Sequence, residues 1–350
     1  QAEDGIRDVE RSRGLGDVYK RQEYIRSIDA SKKMATAILS HEDTLLVGRF
    51  SGIDIFVNEE RIRTIEIPLN WGAVRDIAIT DDGIILCGDG GVIDENGNTI
   101  HANAPIENKI TTICRHRNAL WIGTFSSGIA FMQDGKWEGF PHRLPSPFVN
   151  ALASDGRNLW IATDDGLARF YGGLKVFRRR DGLNSNTITA LNFDGNNLWV
   201  GTNRGFCRSE HFGWRQFYLS DGLCGDHIYA IAARDGNAWV ATYGGVSKIS
   251  NRRGKCYRRA DNALLNDWTT TAVISDGGVF IGTYGGGISR YDEDRWTFYE
   301  KNAIINPDAA TSIQGHPVFG TAGEGILIWD GMRFFKLTIE DGLPDNEILS

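Results

Sequence analysis

What this chain lacks narrows its chemistry. No apolar run approaches the roughly twenty residues that a membrane-spanning helix needs, so no membrane segment is expected within it. Positive charge is not in excess: 38 Lys and Arg stand against 45 Asp and Glu, a formal charge of −7. That balance argues against a nucleic-acid partner, because such binding rests on clustered cations that neutralise phosphates. The short basic clusters, Arg178-Arg179-Arg180 and Arg252-Arg253 with Arg258-Arg259, read as solvated strand edges. The five cysteines, Cys87, Cys114, Cys207, Cys224 and Cys256, share no spacing and form no CxxC pair. Neither a zinc site nor a disulfide framework is signalled, and free thiols with a lean toward a reducing, cytoplasmic compartment are expected. The histidines show no metal-ligand spacing, so no metal and no cofactor is expected.

What is present is a repeat. The phrase NLWIATDDGLARF, Asn158 to Phe170, returns as NLWVGTNRGFCRS from Asn197, NAWVATYGGVSKI from Asn237 and GVFIGTYGGGISRY from Gly278. Earlier copies begin at Thr44, Ile84 and Ala119, and a last one at Pro317. Aligned on the small residue, the copies give Gly48, Gly88, Gly123, Ala162, Gly201, Ala241, Gly282 and Gly320, with steps by subtraction of 40, 35, 39, 39, 40, 41 and 38. A second marker keeps the same beat at Asp181-Gly182-Leu183 and Asp221-Gly222-Leu223, degenerates at Asp261-Asn262-Ala263-Leu264, and returns at Asp341-Gly342-Leu343. A period near 40 that parses into four short strands is the signature of an all-β protein, a β-propeller of four-stranded antiparallel blades. Eight blades fit between Met34 and Pro344, with seven plus an extra blade as the alternative.

In five units strand A ends at an Asp-Gly dipeptide, at Asp82, Asp155, Asp194, Asp235 and Asp276, which favours a tight hairpin with two residues at positive φ. Strand B is the continuously apolar LWIAT phrase, and its tryptophans, Trp121, Trp160, Trp199 and Trp239, read as inter-blade core. Strand C follows a short turn, and strand D carries the outer aromatics. Alternating strand direction puts the B–C turns and the D–A connections on one face of the disc. The A–B turns are uniform, whereas the B–C turns change from copy to copy: Arg49 and Phe50, Phe125, Asp164 and Asp165, Asn203 and Arg204, Tyr243, Tyr284, Glu324. Trp71 and Trp268 join them from the D–A connections. Variable turns on a constant scaffold mark a binding face, and aromatics mixed with carboxylates, an amide and arginines suit an oligosaccharide or a peptide.

The phrase DGLxxNxIxALxxDGxxLWxGTxxGxxR, as it stands from Asp181 to Arg208, resembles the two-component regulator propeller repeat. The resemblance covers nearly everything after Gln22 and implies the sensory part of a bacterial signal-transduction protein, placed outside the membrane. If the chain is part of such a kinase, a homodimer is the expected assembly. The rival readings are a stand-alone protein-interaction scaffold and a propeller hydrolase or lyase. No nucleophile elbow is present, so no catalytic residue is assigned and a non-enzymatic role is expected. Residues 1–22 do not resemble the repeat, and their tail DVYKRQ back-translates to a sequence resembling the transposon end of library adaptors. They are expected to be non-native or disordered. Residues 23–350 are expected to form one propeller domain cut from a longer chain, with a strand-D-like start, EYIRSID, and a strand-A-like end, NEILS.

Overall fold

The computed structural model describes residues 35–348 except 42, 51, 58–59, 68–70, 81–82, 101–108, 141, 251–252, 314 and 344. The segments 1–22 and 23–29 lie outside the described residues. Eight antiparallel sheets follow one another along the chain. They are the blades of an eight-bladed propeller: 35–66, 74–94, 110–139, 149–177, 188–217, 228–257, 269–299 and 305–337. In blade 4 strands A to D are Val149–Ser154, Leu159–Thr163, Gly166–Phe170 and Leu174–Phe177, each paired with the next. Among the described residues seven blades have all four strands, and the second has three, followed by a lone bridge between Ile93 and Thr99. Every strand A lies beside the strand A of the following blade, and that of blade 8 beside that of blade 1. The inner ring is therefore closed.

Strand B is buried along its whole length because a blade packs on both sides of it. Trp121, Trp160, Trp199 and Trp239 are all at most 7% exposed and face the next blade. Trp160 and Trp199 also donate their indole N–H to Asp155 and Asp194 of their own A–B turns, at 2.9 and 2.7 Å. Trp121 follows the turn Arg117-Asn118, which has no Asp, and its indole N–H has no protein acceptor. The expected pair of positive φ angles occurs at Asp235-Gly236. At Asp155 and Asp194 only the glycine is left-handed, and the carboxylate accepts N–H bonds from the two residues after that glycine. Burial opposes ionisation there, but the hydrogen bonds from Asn158 and Asn197, with those from the tryptophans, hold both carboxyls below their ordinary range.

The small residue of strand B exists because the next blade leans on it. A Cβ at Gly123 would sit 2.6 Å from Val149, and one at Gly201 would sit 2.8 Å from Ile228. Those residues open the next strand A, just before a bulge. Thr111, Asn150 and Thr189 donate side-chain bonds to the carbonyls of Val149, Ile188 and Ile228, stitching successive blades together. At the seam between blades 8 and 1 this place is taken by Ile348, which lies over Gly320 and accepts from Asn306. The register of blade 2 corrects the sequence alignment. Asp76 pairs with Cys87 and Val74 with Gly88, as Ala151 pairs with Ala162 and Val149 with Thr163. Cys87, not Gly88, is the equivalent small residue, so the first two steps become 39 and 36 by subtraction.

The most repeated polar contact is made by the threonine that ends strand B. Thr124, Thr163, Thr202, Thr242, Thr283 and Thr321 are completely buried. Each donates its hydroxyl to the carbonyl of the glycine that opens strand C, at 2.7 to 2.9 Å. In five of them the same oxygen accepts an N–H from inside the turn: Ser127, Asp165, Arg204, Gly244 and Glu324. Replacing Thr202→Val keeps the shape and strands both partners, so we expect a loss of about 1–3 kcal/mol, read as a lower urea midpoint at unchanged slope.

Asp76 stands where most blades have alanine, and its carboxylate accepts the N–H groups of Ile77 and, across the blade boundary, Ile113. Burial outweighs these bonds and pushes its pKa from 3.8 up to about 6. Between those two values the folded protein holds a proton that the unfolded chain has released, so stability falls as pH rises through that window and levels off above it. In Asp76→Ala, urea midpoints measured between pH 4 and 7 should lose this component of the slope.

Candidate ligand-binding face

The threonine bond fixes where each B–C turn sits, and the D–A connection beside it completes the face. Four B–C turns hydrogen-bond back to the residue just before their own strand A: Asp89 to Ala73, Phe125 to Lys109, Tyr284 to Trp268 and Ala322 to Ile304. The DGL marker shapes the connections. Asp181, Asp221, Asp261 and Asp341 each cap a 3-10 turn by accepting the N–H of the residue three positions earlier. The next residue is left-handed, at φ 97 to 104° for the glycines and 53° for Asn262, a conformation asparagine tolerates better than most. The leucine that follows is buried.

Three kinds of surface result. Across blades 6 and 7 runs an aromatic row. Trp268 and Tyr284 stack at 4.5 Å between ring centroids, Tyr229 lies 6.4 Å from Trp268, and His227 lies 4.9 Å from Tyr229. Tyr243 stands on the neighbouring turn and is 55% exposed, against 42% for Tyr284 and 36% for Trp268. A second aromatic pair, Phe125 and Phe148, meets edge to face at 5.6 Å in blades 3 and 4. Between the two lies a polar sector. Asn150 donates to Asp164, and Asp165 accepts from Arg178 and Asn186; Asn203 is half-buried and Arg204 is exposed. In blade 8 Glu324 is held by Lys336, which also pairs with Glu300. The carboxylates raise the pKa of that lysine, Glu324 most, against the opposing effect of burial.

Two of the expected face residues are withdrawn from it. Arg49 pairs with Ala35 as Thr163 pairs with Val149, so it occupies the buried threonine position, and of the two expected residues Phe50 alone lies beyond the strand. It is 3% exposed and is neutralised by Asp54 at 3.3 Å and Glu66 at 2.7 Å. Trp71 is 8% exposed and packs over Gly90, within the core between blades 1 and 2. Reading by position missed Phe148, just before the first residue of its strand A, and Tyr229, just after the first residue of its own. Arg178 and Arg258, read as solvated edges, instead reach back to the B–C turns, bonding Asp165 and the Gly244 carbonyl.

The cysteine expectation is also corrected. Cys224 and Cys256 form a disulfide, joining the D–A connection before blade 6 to that blade's strand D, Arg253–Tyr257. Cys87, Cys114 and Cys207 are free, and burial pushes the Cys207 thiol up to about 12. Among the described residues no group of three or more His, Cys, Asp or Glu is placed to hold a metal ion, and no helix is long and apolar enough to cross a membrane.

Residues 182–204, which span a DGL marker, strands A and B and the B–C turn of blade 5, match the model of the two-component regulator propeller. No curated protein matches the chain. Among solved structures the chain is similar to the computationally designed Ika8 protein, at 16% identity and TM-score 0.65, over 85% of this chain and 96% of that one. It is also similar to PorZ, a surface component of the type-IX secretion system of Porphyromonas gingivalis, at 13% identity and TM-score 0.50, over 90% of this chain. A third likeness is to BT3049 of B. thetaiotaomicron, an extracellular domain assigned to a hybrid two-component system, at 16% identity and TM-score 0.42, over 86% of this chain. The chain spans 59% of PorZ and 51% of the BT3049 domain. At these identities the likeness to Ika8 and PorZ speaks to the fold alone.

The disulfide closes a separation of 32 residues, for which the chain-entropy model gives about 3–4 kcal/mol. Cys256→Ser should lose stability of that order in urea, and thiol titration of the denatured, unreduced wild type should find three reactive thiols where the fully reduced chain has five.

Proposed function

We propose that this propeller is a non-enzymatic, ligand-binding sensory domain of a bacterial signal-transduction protein, and that it binds an oligosaccharide or a peptide on the face made by the B–C turns and D–A connections. The observation that carries this reading is the exposed aromatic row, Tyr243 beside the stacked Trp268 and Tyr284, on turns whose backbone is bolted while their sequence varies. Flat apolar rings with hydroxyl and indole groups at their edges give contact area at low entropic cost and hydrogen bonds at the rim, as sugars and peptides both require. Arg204, exposed in the polar sector, supplies a donor.

The adjacent pair Asp164 and Asp165 supports binding over catalysis, since Asn150, Arg178 and Asn186 already use both carboxylates to hold the face together. A periplasmic or extracellular location fits the disulfide, because such bonds persist in oxidising compartments. The regulator repeat in blade 5 supports the signalling role.

Oligosaccharide and peptide libraries screened by thermal shift and then calorimetry test the proposal, with a triple variant Tyr243→Ala, Tyr284→Ala, Arg204→Ala. Any ligand of the native protein should bind this variant at least about ten-fold more weakly, a change of 1.4 kcal/mol or more. Phe212→Ala, at an exposed C–D turn on the opposite face, should bind it normally. Unchanged affinity in the triple variant would remove the site from this face.

A further inference from the structure

The eight inter-blade wedges are not filled alike. In blade 4 the indole of Trp160 lies between blades 4 and 5, beside Phe177 of its own blade and Trp214 of the next, and its N–H is fixed by Asp155. Register carries this slot to the seam between blades 8 and 1. Trp160 pairs with Arg169, and Val318 pairs with Ile328; Val318 therefore stands where the tryptophan does. Counting back the same five residues, Ile313 stands where Asp155 does. Both members of the tryptophan–aspartate pair are replaced by smaller or apolar residues at the one place where the ring closes on itself.

The seam consequently holds a cavity of about 250 Å³, bounded by Leu45 and Phe56 of blade 1 and by Ile313, Ile328, Phe335 and Leu337 of blade 8. Several of these walls match the indole's surroundings in blade 4. Leu337 is in the register position of Phe177, Ile328 in that of Arg169, and Leu45 in that of Leu198, which packs with Trp160. The mouth carries Asp43, His316 and Asp330. Asp330 accepts the N–H groups of Met332 and Arg333, which hold its carboxyl below the ordinary range and so ionised at neutral pH. Asp43 lies in an A–B turn, His316 opens strand B of blade 8 right after its A–B turn, and Asp330 lies in a C–D turn. The opening is thus on the face opposite the B–C turns.

We propose that this seam cavity is a second binding site, which takes a free, planar aromatic molecule about the size of an indole and prefers one whose substituent is neutral or cationic. The same fold places a covalent indole in the equivalent slot of blades 3, 4, 5 and 6, which sets the size and shape of the guest. The largely apolar walls favour a flat apolar ring. Asp330 is paired with Arg333 at 3.7 Å, so it is chiefly the Asp43 carboxylate that disfavours an anionic substituent.

Ligand-observed NMR and calorimetry with indole, tryptamine and indole-3-acetate as probes test the proposal. Indole and tryptamine should bind the full chain, with indole-3-acetate at least about ten-fold weaker. Val318→Trp should fill the cavity with the chain's own indole and abolish binding of all three. Should that variant fold poorly, Ile313→Asp with Val318→Trp rebuilds the pair found in blade 4 and should do the same. The Tyr243, Tyr284 and Arg204 triple variant should bind the probes as the wild type does, which separates this site from the opposite face. No binding of indole at millimolar concentration, binding that survives the folded Val318→Trp or double variant, or loss of binding in the triple variant would each overturn the assignment.

Discussion

The structure depends on a hydroxyl. Six times a buried threonine at the end of strand B donates to the glycine carbonyl that opens strand C, and in five of the six it also accepts an N–H from the turn between them. A buried turn must satisfy its backbone polar groups, and doing so with a residue outside the turn frees the turn's own side chains from that task. The two-residue turns Asp164-Asp165, Asn203-Arg204 and Tyr243-Gly244 and the three-residue turns from Phe125, Tyr284 and Ala322 are thereby mounted on the same support. Chemistry can vary there without cost to the blade. Blade 1 shows what replaces the bolt: Arg49 takes the threonine position and needs two carboxylates to neutralise it.

A second constraint acts between blades. The small residue of strand B accepts the first residue of the next strand A, and the side chain after that residue bonds to the following blade. Trp160 and Trp199 fill the wedge further out and are oriented by the aspartates of their own A–B turns. The uniform turn on one face and the tryptophan in the core are therefore a single device. Between blades 8 and 1, where Val318 and Ile313 replace both members, the ring still closes through Ile348, Asn306 and a shared apolar cluster, but with a hole in it.

Most of the architecture was legible because period, strand parse and marker residues are local properties. Eight blades, the buried tryptophans and the shared face of the B–C turns and D–A connections all follow from the 40-residue beat and alternating strand direction. Two misreadings share one cause: register is a pairing property that composition does not show. Gly88 looked like the small residue and is one position past it, and Arg49 looked like a turn residue and is the last residue of the strand. The disulfide escaped notice because Cys224 and Cys256 have no telling spacing, and only the fold of blade 6 brings them together. The aromatic row was half visible: Tyr243, Tyr284 and Trp268 stood out by position, whereas the part played by Tyr229 needs three dimensions.

The central claim is that the threonine bolt, and not the turn sequence, holds each B–C turn, leaving that face free to carry ligand chemistry. The most direct measurement is the urea-unfolding free energy of a turn graft in blade 5, with Asn203→Tyr and Arg204→Gly copying the turn of blade 6. The account predicts stability within about 0.5 kcal/mol of the wild type, as for a surface change that disturbs no buried contact. A loss as large as that caused by removing the Thr202 hydroxyl would mean that the turn residues hold the blade themselves, and would contradict it.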